Sequence, residues 1–159
     1  MMQYSPDDYD QYLTLKPSLG MVGALAYSAR HMLLVVLAYL PLLPGKSDMA
    51  FLKSVLSPAM VLSDVPGLLL LLAWRNRRPE ASAFWRRIWR QGRAWLLFAL
   101  VAQLGLLYTT SLPSRLSDFT GTGLPAVAYL ALHLLMIIYV ASSGRVRDVF
   151  RDFPALSMP

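Results

Sequence analysis

Apolar residues fall in four long blocks, at about residues 18–43, 55–74, 94–112 and 122–142, and each block carries a polar side chain near its middle. These are Arg30 and His31 in the first block, Asp64 in the second, Gln103 in the third and His133 in the fourth. A hydrocarbon core of ~30 Å takes about 20 apolar residues in a helix, so every block is long enough to cross. The pattern predicts an all-α, integral membrane four-helix bundle. A charged side chain at mid-membrane costs roughly 2.5–3.5 kcal/mol on insertion scales. Such residues are therefore expected to face the bundle interior and to find partners there.

Depth follows from counting. Arg30 stands 12 residues into its block, Asp64 9, Gln103 9 and His133 11. At 1.5 Å per residue, all four lie close to the midplane. Spans one and two should pack as antiparallel neighbours, so Arg30 and Asp64 are expected to form an ion pair. His31 points about 100° away from Arg30, on a small-residue face with Gly20, Ala24 and Ser28 that lets another helix approach. It is expected to meet Gln103 or His133, with Tyr129 one turn before His133 within reach.

Local signals sharpen the blocks. Pro17 can begin the first helix, and Pro41 and Pro44-Gly45 close it. Residues 18–29 and 32–43 would each be too short to cross alone, so one continuous span is expected over a re-entrant hairpin. Pro66 predicts a kink just after Asp64. Thr122 and Pro125 suit the start of span four, and Gly144 suits its end. Between spans two and three, Phe84 and Ile88, and Trp85 and Trp89, recur at helical spacing among arginines. This predicts a short amphipathic interfacial helix, with Trp85, Arg86, Arg87, Trp89, Arg90 and Arg93 meeting lipid headgroups.

Composition agrees: 56% of the 159 residues are hydrophobic, and no length remains for a sizeable soluble domain. The tails are residues 1–17 and 143–159. Cysteine is absent, which excludes disulfides and thiolate chemistry. The net charge of +6 matters less than its placement. Outside the spans, eleven basic residues lie in the tails and the central loop (Lys16; Arg75, Arg77, Arg78, Arg86, Arg87, Arg90, Arg93; Arg145, Arg147, Arg151). Three lie in the other loops (Lys46, Lys53, Arg115). By the positive-inside rule both termini are expected in the cytoplasm. The same rule accounts for the basicity without nucleic acid. The acidic, aromatic start (Asp7, Asp8, Asp10; Tyr4, Tyr9, Tyr12) does not read as a cleaved signal.

No catalytic motif occurs. Gly45-Lys46-Ser47 resembles the tail of a phosphate-binding loop, but Leu40 stands where the motif needs glycine. No enzyme activity, cofactor or metal is expected. A haem on His31 and His133 is the one cofactor chemistry that two mid-span histidines would permit.

The order of features resembles a small bacterial inner-membrane family of unknown function, the YfeZ-like proteins. The resemblance is carried by Asp8-Tyr9-Asp10 leading to Leu15-Lys16-Pro17, by Ala29-Arg30-His31, and by Pro66-Gly67 with the leucine run before Arg75–Arg78. It implies a bacterial inner-membrane location and no particular activity. The leading functional expectation is a non-enzymatic accessory or scaffold subunit. Its partners would be anionic lipid headgroups and other membrane proteins or further copies of the chain. The alternative is a small proton-linked transporter or channel working through Arg30, Asp64, His31 and His133.

Overall fold

The computed structural model describes residues 4–39, 58–110 and 123–154. The expected ends of span one at Pro41 and Pro44, the two loops on that side and the cap at Thr122 lie outside these residues. Among the described residues the protein is helical, without strands. A single 3-10 turn, Pro6–Asp8, precedes eight α-helices. We number them α1 (Leu19–Ser28), α2 (Arg30–Tyr39), α3 (Pro58–Ser63), α4 (Val65–Arg75), α5 (Ala83–Arg90), α6 (Gly92–Thr110), α7 (Gly123–Ser142) and α8 (Gly144–Arg151).

Two stretches, Pro58–Arg75 and Gly92–Thr109, are long and apolar enough to cross a membrane. Two bent pairs would each add one more. Leu19–Ser28 and Arg30–Val36 meet at 71°, and Val127–Ser142 and Gly144–Arg151 at 62°. The described residues thus hold two to four candidate spans.

The helix expected to run unbroken through 18–43 is bent: the chain breaks at Ala29 (φ −107°, ψ 13°), as either a broken span or a re-entrant turn would. The second break falls at Ser143, whose hydroxyl accepts the Val146 N–H at 3.3 Å and so caps α8. α7 thus ends at Ser142, two residues before Gly144, which is also the first residue of α8. The second block is interrupted at Asp64, where the approach of Pro66 predicted a kink.

Helix α6 sits centrally, packed against α1, α3, α4 and α7, while α1 also packs on α4 and α7. Small residues set the close approaches. A Cβ on Gly67 would lie 2.3 Å from Ser28 Oγ and 3.1 Å from the Ala29 nitrogen, so α4 crosses α1 where α1 ends. A Cβ on Gly92 would fall 2.2 Å from the Phe150 ring, which fixes α8 against the start of α6.

One apolar core runs from the Met21–Leu25 turn through Leu70, Leu96, Leu100 and Val140 to Trp89, Val146, Val149 and Phe150. At that last end the arginine-rich layer is itself packed. The amphipathic segment expected to lie among headgroups forms α5, but Trp89 is fully buried. Its Nε1 donates to the Val149 carbonyl at 2.9 Å and to Asp152 O at 3.2 Å, and its ring lies 4.9 Å from that of Phe150. Trp89 is thus covered by α8, while Phe84 on the same helix stays exposed. Helical spacing shows that a face needs cover, not what supplies it.

Candidate functional site

The break at Ala29 leaves helix-end groups without partners inside the bundle. In an apolar setting each such group costs several kcal/mol, and here each exposed end is met by a side chain. At the end of α1, the Tyr27 carbonyl accepts from Arg30 Nη1 at 2.8 Å and the Ser28 carbonyl from Gln103 Nε2 at 2.7 Å. The Leu25 carbonyl accepts the Ser28 hydroxyl at 2.8 Å. At the start of α2, Asp64 Oδ2 accepts the backbone N–H of His31 at 2.6 Å and of Met32 at 3.0 Å. Asp64 therefore acts as an N-cap supplied from another helix. Its negative charge also lies at the positive end of the α2 dipole.

Gln103 joins the two halves. Its Oε1 accepts from Arg30 Nη1 at 2.7 Å, and its Nε2 donates to Asp64 Oδ1 at 2.8 Å. The expected direct Arg30–Asp64 ion pair is replaced by this amide bridge, and Asp64 is instead paired with His31 through Nδ1 at 3.0 Å. The reason is azimuthal. With the helix bent at Ala29, the Asp64 carboxylate is spent on the exposed N–H groups of the next turn. Arg30 turns the other way. Its Nη2 donates to the Tyr129 hydroxyl, and its guanidinium lies 4.2 Å from the Tyr27 ring centroid.

His133 joins through Tyr27. Its Nε2 lies 2.7 Å from the Leu100 carbonyl, so that nitrogen carries the hydrogen, and a neutral ring then accepts the Tyr27 hydroxyl at Nδ1, 3.0 Å away. Both ring nitrogens are engaged within the protein. His31 Nδ1 is likewise held by Asp64. The pair does not fit a two-histidine haem site, because His133 has no nitrogen free to ligate.

The structure thus brings Arg30, His31, Asp64 and Gln103 into one cluster and links His133 to it through aromatic residues. Asp64, Gln103, His133 and His31 are all buried. The cluster also includes Tyr27 and the Ser28 and Leu100 carbonyls, which sequence reasoning missed. A tyrosine one turn before Arg30 was the available signal for the first. Backbone acceptors carry none.

The arginines expected at headgroups have different fates. Arg86 donates to the Pro79 and Ala81 carbonyls and lies over Phe153. Arg93 donates to Val140 and Ala141 carbonyls at the end of α7. Arg87 and Arg90 are exposed, and Trp85 is half-buried. A second polar node, absent from the sequence reading, ties the N-terminal segment to the basic layer. Buried Arg77 donates to Leu15 O at 2.8 Å and Asp152 O at 2.9 Å, and the Leu15 N–H reaches Asp152 Oδ2 at 2.7 Å. Tyr4 donates to Asp148 at 2.8 Å, and Arg145 pairs with Asp8 at 2.7 Å.

These features define a helical protein with helices suited to crossing a membrane and a closed polar cluster at a helix break. The chain belongs to the protein family of unknown function DUF2919, whose pattern matches residues 4–152. Comparison with curated proteins and with solved structures yields no significant match.

Proposed function

We propose that this chain is a four-span bacterial inner-membrane protein, with both termini cytoplasmic, that serves as a non-enzymatic accessory or scaffold subunit of a membrane complex. One observation carries the reading: the side chains of Asp64, Gln103 and His133 are fully engaged within the protein. Both Asp64 oxygens, both polar atoms of the Gln103 side chain and both His133 nitrogens are bonded inside the bundle. Polar groups used up in this way hold helices together and offer no chain of exchangeable sites.

The rival reading, a proton-linked transporter, draws on one specific feature. Discontinuous helices at mid-membrane often frame ion sites, and Asp64 with His31 stands at such a break. Reconstitution separates the two. Purified protein in sealed vesicles should dissipate an imposed pH gradient no faster than empty vesicles, while Arg30→Gln and Asp64→Asn lower stability. A proton flux that disappears in a well-folded Asp64→Asn variant would overturn the scaffold reading. So would cross-linking in native membranes that recovers only the lone chain.

A further inference from the structure

An open pocket of about 350 Å³ lies where α5, α6 and α8 meet, and four arginines line it: Arg90, Arg93, Arg147 and Arg151. Acidic compensation is sparse. Arg147 shares Asp148 at 3.6 Å, but that carboxylate also accepts the Tyr4 hydroxyl. Asp152 is engaged by Arg77 and the Leu15 N–H. Arg90 and Arg151 are exposed and have no acidic partner among the described residues. Gln91, between α5 and α6, and Arg93 and Ala94 in the first turn of α6 complete the polar end of the lining.

The pocket does not end in polar surface. Ala94 and Leu97 carry its lining on to α6, and the same face of that helix continues through Val101, Leu104, Gly105 and Tyr108. At 100° per residue these positions fall within an arc of about 100°. Val101 to Tyr108, with Leu130 and Leu134 of α7, line a second groove of about 450 Å³ that is almost wholly apolar. From Ala94 to Tyr108 the stripe runs about 21 Å, more than the ~15 Å depth of one leaflet's hydrocarbon. A strongly cationic recess therefore opens onto an apolar track of acyl-chain length.

We propose that this face holds one anionic phospholipid. Its phosphate would sit among Arg90, Arg147 and Arg151, and an acyl chain would lie along α6 in the α6–α7 groove. Arg93 is bound to the α7 carbonyls and adds charge without offering its whole fork. Positive charge selects the phosphate, and the track selects a tail, so a free anion satisfies only half of the site. The inference rests on the membrane reading above and adds a defined ligand to it.

The test is native mass spectrometry of the full chain in detergent with dioleoyl phosphatidylglycerol, dioleoyl phosphatidylcholine or glycerol phosphate. Phosphatidylglycerol should be retained roughly 10-fold better than phosphatidylcholine, and glycerol phosphate should neither bind nor compete. Arg90→Gln with Arg151→Gln should abolish that preference. Arg75→Gln with Arg78→Gln removes the same charge from exposed positions outside the pocket and should keep it. Equal weakening by both pairs, equal retention of the two lipids, or competition by glycerol phosphate overturns the proposal. Carbonate extraction distinguishes the underlying failure. A chain released from membranes by alkali refutes the membrane reading, whereas an embedded chain without lipid preference refutes only the pocket.

Discussion

Gln103 works because its amide presents both an acceptor and a donor. Its oxygen faces the Arg30 guanidinium, which can only donate, and its nitrogen faces Asp64 and the Ser28 carbonyl. Donation therefore runs one way from Arg30 through Gln103 to Asp64, where it meets the N–H groups of α2 donating from the other side. Asp64→Asn breaks that order. An asparagine oxygen kept on the His31 and Met32 N–H groups leaves its NH₂ facing the Gln103 Nε2 donor, while His31 Nδ1 could accept from it only with its own hydrogen on Nε2. Turning the Gln103 amide would only set its NH₂ against Arg30. We expect Asp64→Asn to cost about 2–3 kcal/mol and Gln103→Leu, which loses three bonds, about 2–4 kcal/mol, both from per-bond values in membrane helices and buried charged groups. Unfolding by SDS titration from mild micelles measures this, and an Asn variant as stable as the parent would refute the one-way order. The residues of this cluster were legible in the sequence because hydropathy exposes a polar side chain at mid-block. Their pairing was not. Depth comes from counting along a helix, but azimuth depends on the bend at Ala29, and Ala29 carries no helix-breaking signal.

That bend is made by an element contact, the crossing of α4 over the end of α1. Gly67 faces Ser28 and Ala29, and the atoms a Cβ would meet include Ser28 C at 2.9 Å and Ala29 N at 3.1 Å. Backbone cannot give way as a side-chain tip can. Gly67→Ala should therefore push α4 off α1 and cost about 1–3 kcal/mol. Hydrogen exchange should increase at His31 and Met32, whose N–H groups would lose their Asp64 cap, while exchange in the α6 core stays slow. Unchanged protection at those two amides would show that the break does not depend on the crossing. The N-terminal segment is a different kind of element, in which Leu15 enters the core while polar contacts hold the residues before it. The hydrogen bond from Arg145 holds the Asp8 carboxyl below its ordinary 3.8, with the backbone N–H of Ser5 assisting. A depressed carboxyl value means that its contribution to docking is full above that pH and fades as pH falls through the lower folded value. The hydrogen bond to Asp148 raises the Tyr4 hydroxyl above its ordinary 10.0, so that contact holds below pH 10.0 and is lost in stronger alkali. Limited proteolysis before Pro17 should then be slow and flat between these limits and accelerate beyond each. Acceleration near pH 6 or 7 would refute the assignment. The sequence showed the acidic, aromatic composition of this segment and read it as a tail. It could not show that Arg77 and Asp152, far apart in the chain, converge on Leu15.

Those same contacts constrain the whole molecule through parity. Residues 4–18 are bonded to α8 and the end of α7, by Tyr4 to Asp148, Asp8 to Arg145, Leu15 to Asp152 and Ser18 to Tyr139. In the membrane reading proposed above, two segments in direct contact lie on the same side, so the chain between them would cross an even number of times. A re-entrant α1–α2 pair would leave three crossings, through α3–α4, α6 and α7, and would part the termini. Of the two to four candidate spans, the contacts therefore admit two or four. Four follows if α7, 20 residues long and about 30 Å, crosses with the bent pair. Two basic side chains make these contacts, Arg145 to Asp8 and Arg77 to Leu15 O. Because the chain lacks cysteine, single cysteines report sidedness without background. Gln11→Cys, Ser82→Cys and Arg147→Cys should be shielded from an impermeant maleimide in intact cells and labelled after lysis. Ser47→Cys and Ser117→Cys should label in intact cells. Shielding of Ser47→Cys together with Gln11→Cys would mean that neither the bent pair nor α3–α4 crosses, since Arg77 is bonded to Leu15, and would leave two crossings through α6 and α7. Labelling Gln11→Cys and Arg147→Cys from opposite sides would contradict the contacts themselves.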